Sequence, residues 1–76
     1  MGDKYPILRP SEIISALSKK GFVFKNQKSS HMKYNDGHYT VIIPYHRTVA
    51  KGTLKNILKQ AHIELEDFLK LLNREN

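Results

Sequence analysis

Asp36-Gly37 is the tightest constraint on this chain. Two runs of strand-like alternation flank it, "SHMKYN" (30–35) and "HYTVII" (38–43). An Asp-Gly pair tolerates the positive φ of a tight hairpin turn. A two-residue loop there predicts Asn35 opposite His38, Tyr34 opposite Tyr39, Lys33 opposite Thr40, Met32 opposite Val41, and His31 opposite Ile42. One face then carries Met32, Tyr34, Tyr39, Val41 and Ile43, and the other His31, Lys33, Asn35, His38, Thr40 and Ile42. The first reads as a core face and the second as a wet, mostly polar one.

The remaining elements follow from periodicity. "FVFKNQK" (22–28) reads as a further strand, with Phe22 and Phe24 on one face and Val23, Lys25 and Gln27 on the other. Upstream, Pro10 suits a first helical position, and Glu12 favours the positive end of the helix dipole. Ile13, Ile14, Ala16 and Leu17 make an apolar stripe, and Gly21 suits the position just past a helix end, so a helix spans about 10–20. Residues 1–8 read as a loosely held arm. Pro44 closes the third strand, 45–51 is a basic loop, and Thr53 offers an N-cap hydroxyl. Leu54, Ile57, Leu58 and Ala61 then predict a helix over about 54–62. Leu65, Phe68, Leu69 and Leu72 predict another over about 65–73. The expected fold is α+β, in the order α-β-β-β-α(-α), with helices on one face of a three-stranded antiparallel sheet.

With 76 residues the chain has room for a single domain, 1–76. Lys and Arg total 13 against 7 Asp and Glu, a formal charge of +6 that favours polyanionic partners. There is no cysteine, which excludes disulfides and thiol chemistry. No apolar run approaches the ~20 residues that span a bilayer, and "MGDKYPILRP" has no apolar h-region. A soluble, cytoplasmic protein is the expectation. The carboxylates are scattered and no His/Cys cluster has metal-ligand spacing, so no metal is predicted. No Gly-rich loop marks a nucleotide cofactor.

Three ordered blocks carry a resemblance: "ALSKKGF" (16–22), "SSHMKY" (29–34) and "IPYHRTVAKGTLKNILKQAHIELEDFLKLL" (43–72). Together, over about 10–72, they resemble the HicA family of toxin ribonucleases, whose patterns include Gly-Ser-His, Pro-x-His, Gly-Thr-Leu and Glu-x-Phe-Leu. The resemblance implies a double-stranded-RNA-binding-domain-like fold and an mRNA-cleaving toxin that needs no metal or other cofactor. It also implies inhibition by a HicB-type antitoxin. His31 is the residue that carries over as catalytic. The chain departs from the pattern at Ser29, where the family usually has glycine, the residue that permits close backbone approach or a φ serine dislikes. His62 likewise stands near a position the family often fills with glycine.

On the polar hairpin face, His31 suits a general base that takes the proton of an RNA 2′-hydroxyl. Lys25, Lys28 and Lys33 are candidates to stabilise charge on the attacked phosphate, and Ser30 joins the candidate RNA contacts. His46 can protonate a leaving oxygen, bind phosphate or cap a helix, with the binding or structural role favoured over proton transfer. Arg47, Lys51, Thr53 and Lys55 surround a helix start, a favourable place for a phosphate. His38 reads as an exposed strand residue, and His62 as a favourable charge at a helix C-terminus. Tyr34 and Tyr39 fall on the core face. A non-catalytic RNA-binding module and a protein whose basic surface meets an acidic partner are the competing readings.

Overall fold

The computed structural model describes residues 5–72. Helix α1 (Pro10–Ser18) leads into strands β1 (Val23–Lys28), β2 (His31–Asn35) and β3 (Thr40–Pro44), followed by helices α2 (Lys51–Ala61) and α3 (Leu65–Leu72). The strands form one antiparallel sheet in the order β1-β2-β3. Element order and fold class are those the patterning predicts. Residues 1–4 of the predicted arm and Asn73 of the predicted last helix lie outside the described residues.

Local chemistry sets the helix ends. Pro10 occupies the first turn of α1, and the Arg9 N–H donates to Glu12 Oε1 at 2.8 Å, satisfying a donor that the helix leaves open. After α1, Gly21 takes a φ of +93° and the Phe22 N–H donates back to Leu17 O. Helix α2 starts at Lys51 with Ala50 as N-cap, so Thr53 stands inside the first turn and does not cap it. It ends at His62 in the left-handed region, where the Ile63 N–H donates to Leu58 O.

Ile13, Ala16 and Leu17 of α1, Leu54, Ile57, Leu58 and Ala61 of α2, and Phe68 of α3 are buried. They meet Phe22 and the core-facing strand residues Met32, Tyr34, Val41 and Ile43. Each fully buried large apolar side chain contributes roughly 1.5–3 kcal/mol. Leu65, Leu71 and Leu72 pack against the margin, while Leu69 is only half-buried. Lys19 Nζ donates to Leu71 O at 2.7 Å, tying α1 to the carbonyl end of α3. His31, Lys33 and Thr40, on the other face of the sheet, are exposed.

Besides the Thr53 cap, three expectations need correction. The β2–β3 register pairs Asn35 with Thr40, Tyr34 with Val41, Lys33 with Ile42, Met32 with Ile43 and His31 with Pro44. The turn is centred one residue later than predicted, on Gly37-His38. Asp36 Oδ1 accepts the N–H groups of His38 and Tyr39, and the Asp36 N–H donates to Tyr39 O. These bonds draw Asp36 into the strand end and leave the positive φ, +100°, to Gly37. Moving a turn by one residue moves every partner by two, so the two faces are preserved. His38 and Tyr39 are nevertheless removed from the strand, and Tyr39 is 40% exposed rather than core.

Secondly, β1 carries a bulge between Phe24 and Asn26. The extra residue reverses the alternation, so Gln27 shares the side of Phe24 while Asn26 and Lys28 share that of His31. Phe24 is 52% exposed, its ring meeting Tyr34 edge-on at 5.7 Å. Thirdly, the described part of the arm is not loose. Leu8 forms an antiparallel bridge with Val49, whose N–H donates to Leu8 O at 2.7 Å.

Candidate functional site

His31 is the first residue of β2, between Lys28 of β1 on one side and Pro44 of β3 on the other. The Tyr45 N–H donates to Ser30 O at 2.6 Å, extending the pairing one step beyond the strands. His46 therefore follows directly on a residue anchored beside His31. The corrected register tightens a proximity the sequence already implies: with Ile42 opposite His31, His46 would lie two residues further off.

Helix α2 forms the facing wall. It runs along the free edge of β3, where the Ile42 N–H donates to Gln60 Oε1 at 3.0 Å. That bond occupies a donor the sheet leaves unpaired. Between edge and helix lies a groove of about 420 Å³, lined by His31, Ile42, Pro44, His46, Thr48, Val49, Ala50, Thr53, Asn56, Ile57 and Gln60. The size is in the range of small-ligand sites. Two imidazoles, two threonine hydroxyls and two carboxamides share it with an apolar floor.

The predicted residues divide around this groove. His31, His46 and Thr53 line it. Lys28 and Lys33 are exposed on the same sheet face as His31, the first as its pairing partner and the second two residues along β2. Ser30 makes the β1–β2 turn. Lys25, the unpaired bulge residue, and Lys51, the first residue of α2, are both exposed. Arg47 lines a neighbouring groove that shares His46. Lys55 is not brought to the site: it lines a separate groove with Lys59 and His62.

His38 sits in the turn at the far end of the hairpin. His62 stacks on Tyr39, ring centroids 4.0 Å apart and planes 18° from parallel. Two ionisable groups outside the groove are perturbed. Burial raises the pKa of Tyr34, and the backbone N–H groups of Tyr39 and His38 hold the Asp36 carboxyl below its usual range. Among the described residues no group of three or more His, Asp or Glu could hold a metal ion, and no helix is long and apolar enough to cross a membrane.

Sequence reasoning missed Thr48, Asn56 and Gln60. A signal for the last two exists: Thr53, Asn56 and Gln60 recur at helical spacing beside the buried stripe of α2, a polar flank bordering a core face.

A family model described as the HicA toxin of bacterial toxin–antitoxin systems matches residues 10–63. The chain belongs to the HicA toxin family. Among curated proteins none matches it. The family match spans α1, the whole sheet and α2, so every residue of the His31 groove falls within it. This HicA chain is therefore a toxin of the toxin–antitoxin type.

Proposed function

We propose that this HicA toxin is an endoribonuclease that cleaves mRNA without a metal ion and is neutralised by a HicB-type antitoxin. The observation that carries the reading is that His31 and His46 line one groove, with Lys28 and Lys33 exposed on the face of His31. RNA supplies its own nucleophile. His31 takes the proton of a 2′-hydroxyl, the 2′-oxygen forms a bond to the adjacent phosphorus, and the bond from phosphorus to the 5′-oxygen breaks. His46, in its protonated form, gives a proton to that leaving oxygen. The products are a 2′,3′-cyclic phosphate and a 5′-hydroxyl, and Lys28 and Lys33 offset the charge gathering on the phosphate oxygens. The likeness in element order to double-stranded-RNA-binding domains, and the overall charge, support RNA as the substrate. The same charge supports an acidic antitoxin.

The test incubates the purified chain with single-stranded RNA in EDTA, beside His31→Ala. Wild type yields cyclic-phosphate ends, and the variant loses activity by roughly 10²–10⁴, the scale of general-base catalysis. Because His31 is exposed, the variant keeps the wild-type melting temperature. Salt-sensitive RNA binding with no cleavage by either protein would replace this reading with that of a non-catalytic RNA-binding module.

A further inference from the structure

His46 lines two adjoining grooves, and only one of them holds His31. The second, of about 370 Å³, is walled by Arg9, Pro10, Ser11, Tyr45, His46 and Arg47. Its two sides come from distant parts of the chain. The Leu8–Val49 bridge brings the segment before α1 against the 45–50 loop, which places Arg9 across from Arg47 and Tyr45. The Tyr45–Ser30 hydrogen bond fixes the loop backbone relative to β2.

Tyr45 is 65% exposed, more than any other large hydrophobic side chain among the described residues. A lone exposed aromatic is common on protein surfaces and carries no message. This one stands between two arginines and a histidine, and it adjoins the groove where the chemistry is proposed. An open aromatic face offers stacking, and guanidinium groups offer paired hydrogen bonds and charge. An unpaired nucleotide presents both complements, a free base face and a phosphate. In a duplex the base faces are covered by their neighbours, so Tyr45 would have nothing to stack on.

We propose that the Arg9–Tyr45–Arg47 groove is a subsite for one nucleotide of single-stranded RNA, next to the phosphodiester held at His31. Tyr45 stacks on the base, Arg9 and Arg47 hold its phosphate, and His46 stands at the junction. The proposal rests on the ribonuclease reading for its position relative to cleavage. It adds that the substrate is unpaired on this side, and it brings in two residues, Arg9 and Tyr45, that the acid–base chemistry does not use.

Binding separates the subsite from catalysis. In a His31→Ala background, which leaves the RNA intact, anisotropy of a fluorescein-labelled single-stranded hexaribonucleotide reads the affinity, and a duplex of the same sequence is the control. Tyr45→Ala weakens single-strand binding roughly five- to a hundredfold, the range of one stacked base, whereas Tyr45→Phe retains it. Arg9→Ala and Arg47→Ala each weaken binding and flatten its salt dependence. Circular-dichroism melts of every variant check the fold. Single-strand binding indifferent to Tyr45→Ala overturns the subsite. So does equal loss in Tyr45→Phe, an equal Tyr45 dependence for the duplex, or a polyglutamate peptide that binds with the same Tyr45 dependence. Cleavage by the wild-type chain is scored separately. RNA cleaved as usual with Tyr45-independent binding sinks the subsite alone, while Tyr45-dependent binding with no cleavage sinks the ribonuclease reading alone.

Discussion

Ser29 holds a φ of +57° and His62 one of +59°, the two non-glycine residues in the left-handed region among those described. Ser29 stands where the resemblance to HicA places glycine and His62 near such a position, and a Cβ at such a φ costs about 1–2 kcal/mol. At Ser29, in an exposed turn, little offsets that cost. Ser29→Gly is expected to stabilise the fold by about 0.5–1 kcal/mol once the freer unfolded chain is allowed for. A thermal melt should register a rise of roughly 3–6 °C. His62→Gly relieves the same strain but removes the stacked contact with Tyr39. Such a contact contributes about 0.5–1.5 kcal/mol, so the melting temperature should barely change. The two histidines given proton transfer in the proposed reaction separate by pH instead. A base works when unprotonated and an acid when protonated, so kcat/KM of the wild type should rise and then fall with pH. In His46→Ala the fall on the alkaline side should disappear while the rise remains. An unchanged bell would remove His46 from proton transfer.

At the scale of elements, the hairpin turn determines the site. Asp36 accepts two backbone N–H groups that hold its pKa down, Tyr39 contributing more than His38. A carboxyl with a folded pKa below its unfolded one adds stability above the ordinary carboxylate range, and that stability is lost as pH falls through the lower, folded value. The urea midpoint of Asp36→Ala should therefore lie below that of wild type at pH 7, and the gap should narrow as the medium is acidified below the carboxylate range. A gap independent of pH would mean that the charge plays no part. The same turn marks where the sequence stops being legible. Both faces of the hairpin can be read from alternation, and the buried stripes of α1 and α2 from helical spacing, because burial imposes a period. Register depends instead on which residue of Asp36-Gly37-His38 takes the positive φ, and the Asp36 side chain decides that through bonds without periodicity. The bulge in β1 and the Leu8–Val49 bridge are equally silent, one a local irregularity and the other a pairing across some forty residues. His31 and His46, and their lying toward the same end of the hairpin, can therefore be read from sequence, while the α2 wall and the Arg9–Tyr45–Arg47 groove emerge only in three dimensions.

For the whole molecule the controlling quantity is the net charge of +6. Cations at the two grooves would displace counterions from a bound strand, with each neutralised phosphate adding about 0.7 to the slope of log affinity against log salt for single-stranded nucleic acid. If Lys28, Lys33 and Arg47 each meet a phosphate, the slope should be about −2, and Lys33→Ala should make it shallower without altering sequence preference. A flat salt response would exclude a phosphate-dominated interface. The order in which the walls of the His31 groove occur along the chain has a separate consequence. The hairpin supplies one wall and α2 the other, and synthesis delivers the chain from its N-terminus. His31 and His46 are joined to the chain before Asn56 and Gln60. A chain interrupted ahead of α2 carries both histidines and lacks the helix that makes the cleft around them.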